Sequence, residues 1–156
     1  MARNSMDSVD RKIIKIMIQN ARTPFSEIAR ICNISSAAIT QRIHKLEEMG
    51  FIQGSRVIVD PRTLGFDVCA FVGICLDNPK NLANTHEALM KIPEIVECHF
   101  ITGAYSIFLK LYCLNNEHLM EVLSEIQSIS GVASTETQIS LRETFQRSIP
   151  VSCLKD

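Results

Sequence analysis

SEIARICNISSAAITQRIHK, residues 26 to 45, is the stretch that decides how the N-terminal part of this chain folds. A short amphipathic helix from Ser26 to Cys32 meets a tight break at Asn33, and a second helix opens at Ser35. Ile28, Ala29, Ile34, Ile39 and Ile43 fall at the spacing that lets them close on one another as a small core. Ser36, Ala37, Thr40, Gln41 and Lys45 are left on the opposite face, and the second helix has no carboxylate before Glu47. A helix whose free face carries small polar groups and cations suits a DNA major groove, so the pair reads as a helix-turn-helix. Two short helices joined by a turn also occur in domains that never touch DNA. The flanking sequence therefore matters.

Upstream, Asp7 or Ser8 can cap a first helix running to about Ala21. Val9, Ile13 and Ile16 form one apolar row and Ile14, Met17 and Ala21 a neighbouring row, which together make a core-facing stripe. Arg22-Thr23-Pro24 breaks that helix, and Ser26 is placed to cap the next. Asn33 suits the left-handed conformation that ends a helix, and Gly50 suits the end of the third. Phe51 to Ser55 followed by Arg56 to Val59 reads as a β-hairpin, the wing of a winged helix-turn-helix. Asp60 to Gly65 is rich in turn formers and reads as a hinge.

Beyond the hinge the chain repeats itself at an offset of 37 residues. Phe71 matches Phe108, Ile74 matches Leu111, Leu82 matches Leu119, Leu89 matches Ile126, Ile92 matches Ile129 and Ile95 matches Val132. Each copy holds an apolar strand, an amphipathic helix and a second strand. Two such units in series give a ferredoxin-like β-α-β-β-α-β domain, with both helices on one face of a four-stranded antiparallel sheet. The fold class is α+β: a winged helix-turn-helix domain over residues 1–60, a hinge over 61–66 and a ferredoxin-like domain over 67–156. The strand VCAFVGICL, residues 68 to 76, is apolar on both alternations, as is much of Ser106 to Cys113. The chain's own helices cover one sheet face only, so a second subunit is expected on the other, giving a dimer through the sheets.

Composition sets bounds. The 156 residues suffice for one medium domain or two small ones. Neither a membrane-length apolar run nor a signal-peptide pattern is present, which makes a cytoplasmic protein the expectation. Six cysteines, at 32, 69, 75, 98, 113 and 153, show no C-x-x-C spacing and read as small buried hydrophobes in a reducing compartment. No metal site and no cofactor are expected. The net charge of −1 divides into +3 over residues 1–60 (nine Lys/Arg against six Asp/Glu) and −4 over 61–156 (seven against eleven). A basic first part and an acidic second part suggest a division of labour.

NARTPFSEIARICNISSAAITQRIHKLEEMGFIQG, preceded by Asp10, resembles the winged-helix domain of the Lrp/AsnC (feast/famine) transcriptional regulators. VDPRTLGFD is similar to their hinge and first sensor strand, ITGAYSIFLKL to the turn-and-strand signature of their amino-acid-sensing domain, and STETQISL to its last strand. Most of that family carries an acid at the end of the glycine turn; here Gly103-Ala104-Tyr105-Ser106 ends in serine. The Y-S-I-F form and the STET segment resemble the asparagine-responsive AsnC branch. The resemblance implies a regulator of transcription and not an enzyme. It further implies that the partners are double-stranded DNA, a small amino-acid effector with asparagine as first guess, and a homodimer assembling into an octamer, a tetramer of dimers.

Two sets of site residues follow. Ser35 starts the recognition helix, and Ser36, Ala37, Thr40 and Gln41 are the expected base readers, Gln for adenine and Ala or the Thr methyl for thymine. Arg42 and Lys45 suit phosphate, and Arg56 on the wing adds another such contact; Arg42 could instead bond a neighbouring helix end. His44 reads equally as a groove contact or a solvated residue. For the effector, Gly103 lets backbone N–H groups approach a carboxylate closely, and Thr102, Tyr105 and Ser106 supply neutral hydrogen-bonding groups around Ala104. By sequence alone this is an ordinary hairpin corner; the resemblance makes it a ligand turn. The resemblance also places the ligand where two dimers meet, which adds Ser134, Thr135 and Glu136, with Glu136 either the partner of the ligand's ammonium or an exposed strand carboxylate. His99 either contacts ligand or is structural.

Two other readings compete. A tetrapyrrole-decarboxylase-like enzyme of similar fold would need a basic pocket with several His and Arg, whereas the second half is acidic and its Arg residues are 62, 142 and 147. A DNA-architectural protein without an effector would share the helix-turn-helix and the oligomer.

Overall fold

The computed structural model describes residues 6–151, which form two compact units. One contains the described residues up to Ile58 together with those from Phe145 onward, and the other is Val59–Thr144.

In the first unit, α1 spans Ser8–Gln19. Asp7 caps it through a reciprocal pair: the Asp10 N–H donates to Asp7 Oδ1 at 2.8 Å, and the Asp7 N–H donates to Asp10 Oδ2 at 3.2 Å. Helix α2, Phe25–Cys32, starts one residue earlier than expected. Pro24 is its cap residue, with no side-chain cap bond, so Ser26 lies inside the helix and does not cap it. Pro24 is already extended, and its carbonyl accepts from Glu27 and Ile28. Asn33 ends α2 at φ 57°, ψ 43°, the left-handed conformation an asparagine tolerates. Helix α3, Ser36–Glu48, is capped by Ser35 Oγ, which accepts from the Ala38 N–H at 3.2 Å. Gly50 follows it at φ 75°. Ile13, Ile14, Ile28, Ala29, Ile39, Ile43 and Leu46 interlock as the core, with Ile34 and Val151 packed against them.

The expected wing hairpin is absent: residues 51–60 contain no strand, and Val57, Ile58 and Val59 stand 72%, 84% and 55% exposed. A two-stranded hairpin is marginal by itself. Val57-Ile58-Val59 is apolar without alternation, so it has no single face to bury.

The second unit opens with the turn at Pro61–Gly65, closed by Asp60 Oδ1 accepting from the Arg62 N–H at 3.0 Å. Then come β1 (Val68–Leu76), a 3₁₀ turn, α4 (Leu82–Leu89), β2 (Ile95–Phe100), β3 (Ile107–Cys113), α5 (Asn116–Ser128) and β4 (Val132–Ser140). The sheet order is β2-β3-β1-β4 with every pair antiparallel, the ferredoxin-like arrangement. Val68, Ala70, Val72 and Ile74 of β1 alternate with Ile107, Leu109, Leu111 and Cys113 of β3 beneath Leu89, Leu119, Val122 and Ile126. The repeat pairs Leu82/Leu119, Leu89/Ile126, Ile92/Ile129 and Ile95/Val132 all sit in or against this core.

Both helices of this unit, α4 and α5, pack on that one face, and the opposite face is left without either of them. At its centre the matched pair Phe71 and Phe108 stack at 5.9 Å. Lys110 lies there too, its side chain only 10% exposed, with Nζ 3.0 Å from Glu143 and 3.9 Å from Glu97. Burial pushes the ammonium towards neutrality, but the bonds to Glu143 and Tyr112 outweigh it and hold Lys110 charged. Among the described cysteines, all free thiols, Cys113 alone is fully buried and its pKa is pushed up to about 11 by that burial; Cys32, Cys69, Cys75 and Cys98 are half-buried. Cys153 lies outside the described residues.

Candidate functional site

The outer face of α3 presents Ser36, Ala37, Thr40, Gln41 and Lys45 to solvent. The core side chains Ile39, Ile43 and Leu46 fix the rotation of the helix and so fix which face is free. Ser35 is spent on the cap, and Thr40 Oγ1 donates back to the Ser36 carbonyl at 3.1 Å. Arg56 is exposed in the strandless segment after Gly50. His44, 71% exposed, has Nδ1 3.7 Å from Glu48 on its own helix.

Arg42 makes the bond to a neighbouring helix end that its second reading expects. Its Nη1 donates to Asp7 Oδ2 and to Asp10 Oδ1, both at 2.6 Å. The guanidinium thus closes the start of α1 onto α3. The Asp10 N–H, with Arg42 behind it, holds the Asp7 carboxyl below the usual carboxylate range, and Asp7 and Asp10 raise Arg42 in turn. That leaves Lys45 as the cation on the outer face of α3.

The second cluster is the turn between β2 and β3. The Ile101 N–H donates to the Ser106 carbonyl at 3.2 Å, and the Ser106 N–H donates to Ile74 of β1 at 2.9 Å. Gly103 stands at φ 120°, a left-handed angle other residues resist, and nothing lies within 4 Å of the place its Cβ would occupy. Ala104 offers its carbonyl to Cys75 Sγ at 3.3 Å. Tyr105 reaches across β1 and donates its hydroxyl to Glu136 Oε2 on β4 at 2.5 Å. This bond raises the tyrosine pKa and, with Gln138 assisting, lowers that of Glu136.

The structure therefore brings Tyr105 to Glu136 and Ala104 to Cys75. Ser134 shares the open face with Glu136, while Thr135 turns the other way and accepts from Gln127 of α5 at 2.9 Å. His99, 60% exposed, has Nε2 3.5 Å from Glu97 and pairs in register with Phe108, whose ring lies 6.3 Å from that of Tyr105. Sequence reasoning missed Gly73, which lies under the Tyr105 ring. A glycine inside an apolar strand marks a close approach, and that was the available signal.

Residues 6–53 match the family model described as winged helix-turn-helix DNA-binding, and residues 69–150 match the one described as the Lrp/AsnC ligand binding domain. Together these define a DNA-binding transcriptional regulator with an amino-acid ligand-binding domain, and not an enzyme. The chain is 40% identical over 147 residues to the regulatory protein AsnC of Haemophilus influenzae, covering 94% of this chain and 98% of that protein. It is 37% identical over 145 residues to AsnC of Escherichia coli, covering 92% and 95%. The solved structure of E. coli AsnC superposes with a TM-score of 0.88 over 93% of this chain and 98% of that one. A transcriptional regulator of Neisseria meningitidis solved with L-Met, 21% identical, shares the fold at a TM-score of 0.88 over 94% of this chain and 97% of that one. The chain belongs to the Lrp/AsnC family. Among the described residues, no helix is long and apolar enough to cross a membrane.

Proposed function

We propose that this regulator responds to asparagine, bound at the turn Thr102 to Ser106 and opposite Glu136. The observation that carries this reading is the charge pattern of the turn. Position 106 is a serine, and the carboxylate within reach of the turn is Glu136, already hydrogen-bonded by Tyr105. An amino acid needs N–H donors for its carboxylate and one anion for its ammonium. Gly103, open to solvent, suits the first and Glu136 the second. A neutral amide side chain then meets Thr102 and Ser106 without a further buried charge, which would be costly unpaired. The similarity to AsnC proteins supports the choice of amide.

In this reading α3 enters the major groove with Gln41, Ala37, Ser36 and Thr40 towards the bases and Lys45 and Arg56 on phosphates. The open sheet face, with its Phe71–Phe108 stack, pairs with a second copy. Such dimers assemble four to an octamer. Thermal melts of the protein against the twenty amino acids test the effector, because a ligand that binds the native state raises the melting temperature. Asparagine should raise it more than leucine does. Leucine binding as tightly as asparagine refutes the choice of effector, and no response at millimolar concentration leaves a DNA-architectural protein as the better reading.

A further inference from the structure

Gly73 sits in the middle of β1 among apolar residues, and its backbone is not in the left-handed region. Its missing side chain therefore serves space and not conformation. A Cβ at this position would stand 2.6 to 2.7 Å from the Cγ, Cδ1 and Cδ2 of Tyr105, well inside carbon–carbon contact. The ring is held at both ends. Next to its own backbone, the Ser106 N–H is tied to Ile74 at 2.9 Å; at the far end, its hydroxyl is tied to Glu136 at 2.5 Å. Glu136 is the register partner of Gly73 on β4. Tyr105 thus crosses β1 at the one place where that strand offers no side chain on the open face.

We propose that Gly73 and Tyr105 are positioning residues of the effector site: the slot over Gly73 seats the Tyr105 ring so that its hydroxyl fixes the Glu136 carboxylate as receptor for the ligand's ammonium group. This assignment rests on the effector reading above. The phenol occupies one lone pair of Oε2, and the Gln138 side chain makes a long bond of 3.4 Å to Oε1. A carboxylate has about four acceptor positions, so the ammonium still finds open ones. A hydrogen bond to the charged form keeps Glu136 ionised to lower pH. Tyr105 is the titratable group bonded to Glu136; the Cys75 thiol of β1 is the next, acting on Tyr105. The strut also spans from the turn to an outer strand of the sheet, so the carboxylate-binding and ammonium-binding halves of the site keep a set separation.

Calorimetry of asparagine binding to the full chain, from about pH 4 to pH 8, tests the assignment. Tyr105→Phe keeps the ring and removes the hydroxyl. It should weaken binding by about tenfold, as expected for losing one hydrogen bond to a charged group, and move the acid limb of the binding profile to higher pH. Gly73→Ala should weaken binding by displacing the ring. In a Tyr105→Ala background, Gly73→Ala should change nothing further, because no ring remains to displace. An unchanged affinity and pH profile in Tyr105→Phe overturns the assignment, as does a full Gly73→Ala effect in the Tyr105→Ala background. If the unsubstituted chain binds no asparagine, the effector reading itself fails and takes this assignment with it, a result seen before any variant is compared.

Discussion

Arg42→Ala separates two roles that a cation on a recognition helix can play. In the structure its guanidinium bridges Asp7 and Asp10 at 2.6 Å each. The Arg42, Asp7 and Asp10 side chains are 34%, 50% and 15% exposed. The Asp7 arm is open to solvent, so screening limits it to about 0.5 kcal/mol. The Asp10 arm is more sheltered and is assigned about 1 kcal/mol, typical of a charge-assisted bond with partial water access. Asp7 keeps its capping role without Arg42, so the variant should lose about 1–2 kcal/mol in total. For a domain of this size that is a fall in melting temperature of about 4–8 °C per kcal/mol.

The pH dependence has a defined sign. The folded-state pKa of Asp7 is depressed, so its contribution is present above the ordinary carboxylate range and is lost as pH falls through the depressed value. The gap between wild type and Arg42→Ala should therefore be full at neutral pH and close on acidification below about pH 4. Calorimetric melts across that range, together with fluorescence-anisotropy titrations of DNA against salt, provide the assay. A variant with unchanged melting temperature, but a salt slope reduced by about one unit, would show that Arg42 contacts phosphate and that its ion pairs contribute nothing measurable.

Gln41→Ala should cost roughly 1–3 kcal/mol on the preferred site and relax the preference in a binding-site selection, while Lys45→Ala should weaken all sequences alike and lower the salt slope by about one unit; an unchanged selection removes Gln41 from the readers. Ser106→Asp places a second carboxylate near Glu136 and should shift the melt response from asparagine towards other amino acids; a response profile identical to wild type counts against Ser106 lining the site. Phe71→Arg puts an unpaired charge at the centre of the open sheet face and should weaken a sheet-to-sheet dimer by roughly 3–5 kcal/mol, visible as a monomer in light scattering; an unchanged mass excludes that face as the interface.

What could be read in the sequence were features set by local periodicity. Asn33 and Gly50 mark the ends of α2 and α3 because only certain residues tolerate a positive φ, and both lie there. The 37-residue repeat exposed the sheet domain, because each copy must bury the same row of side chains under the same kind of helix. The strands expected over residues 51–59 did not form for a related reason: Arg56 to Val59 has β-forming residues but no alternating face, and propensity without a surface to cover makes no strand. Segment 145–151 was assigned to the sheet domain by position in the chain; the ligand-binding-domain match runs to residue 150, while in the structure the segment clusters with the helical unit, where Val151 packs on the core. Nothing in a short exposed tail announces which of two cores it will meet.

Long-range pairings were harder, and β4 shows why. The resemblance contributed Ser134, Thr135 and Glu136 as a contiguous run, but neighbours along a strand face opposite ways. Glu136 meets Tyr105 on the open face, while Thr135 meets Gln127 of α5 on the helix-covered face. One ligand on the open face cannot contact both side chains unless it wraps the sheet edge. β4 is an outer strand, so among the described residues its far edge is free of strand pairing. The register separates the two side chains: Glu136 pairs with Gly73 and Thr135 with Ile74, a core residue. The same register explains why Gly73 escaped notice. Its partners lie 32 residues away at Tyr105 and 63 at Glu136, separations over which no helix or strand period operates. A glycine in a strand says that something approaches closely; only the paired sheet says that it is a tyrosine, and that the tyrosine ends on a carboxylate.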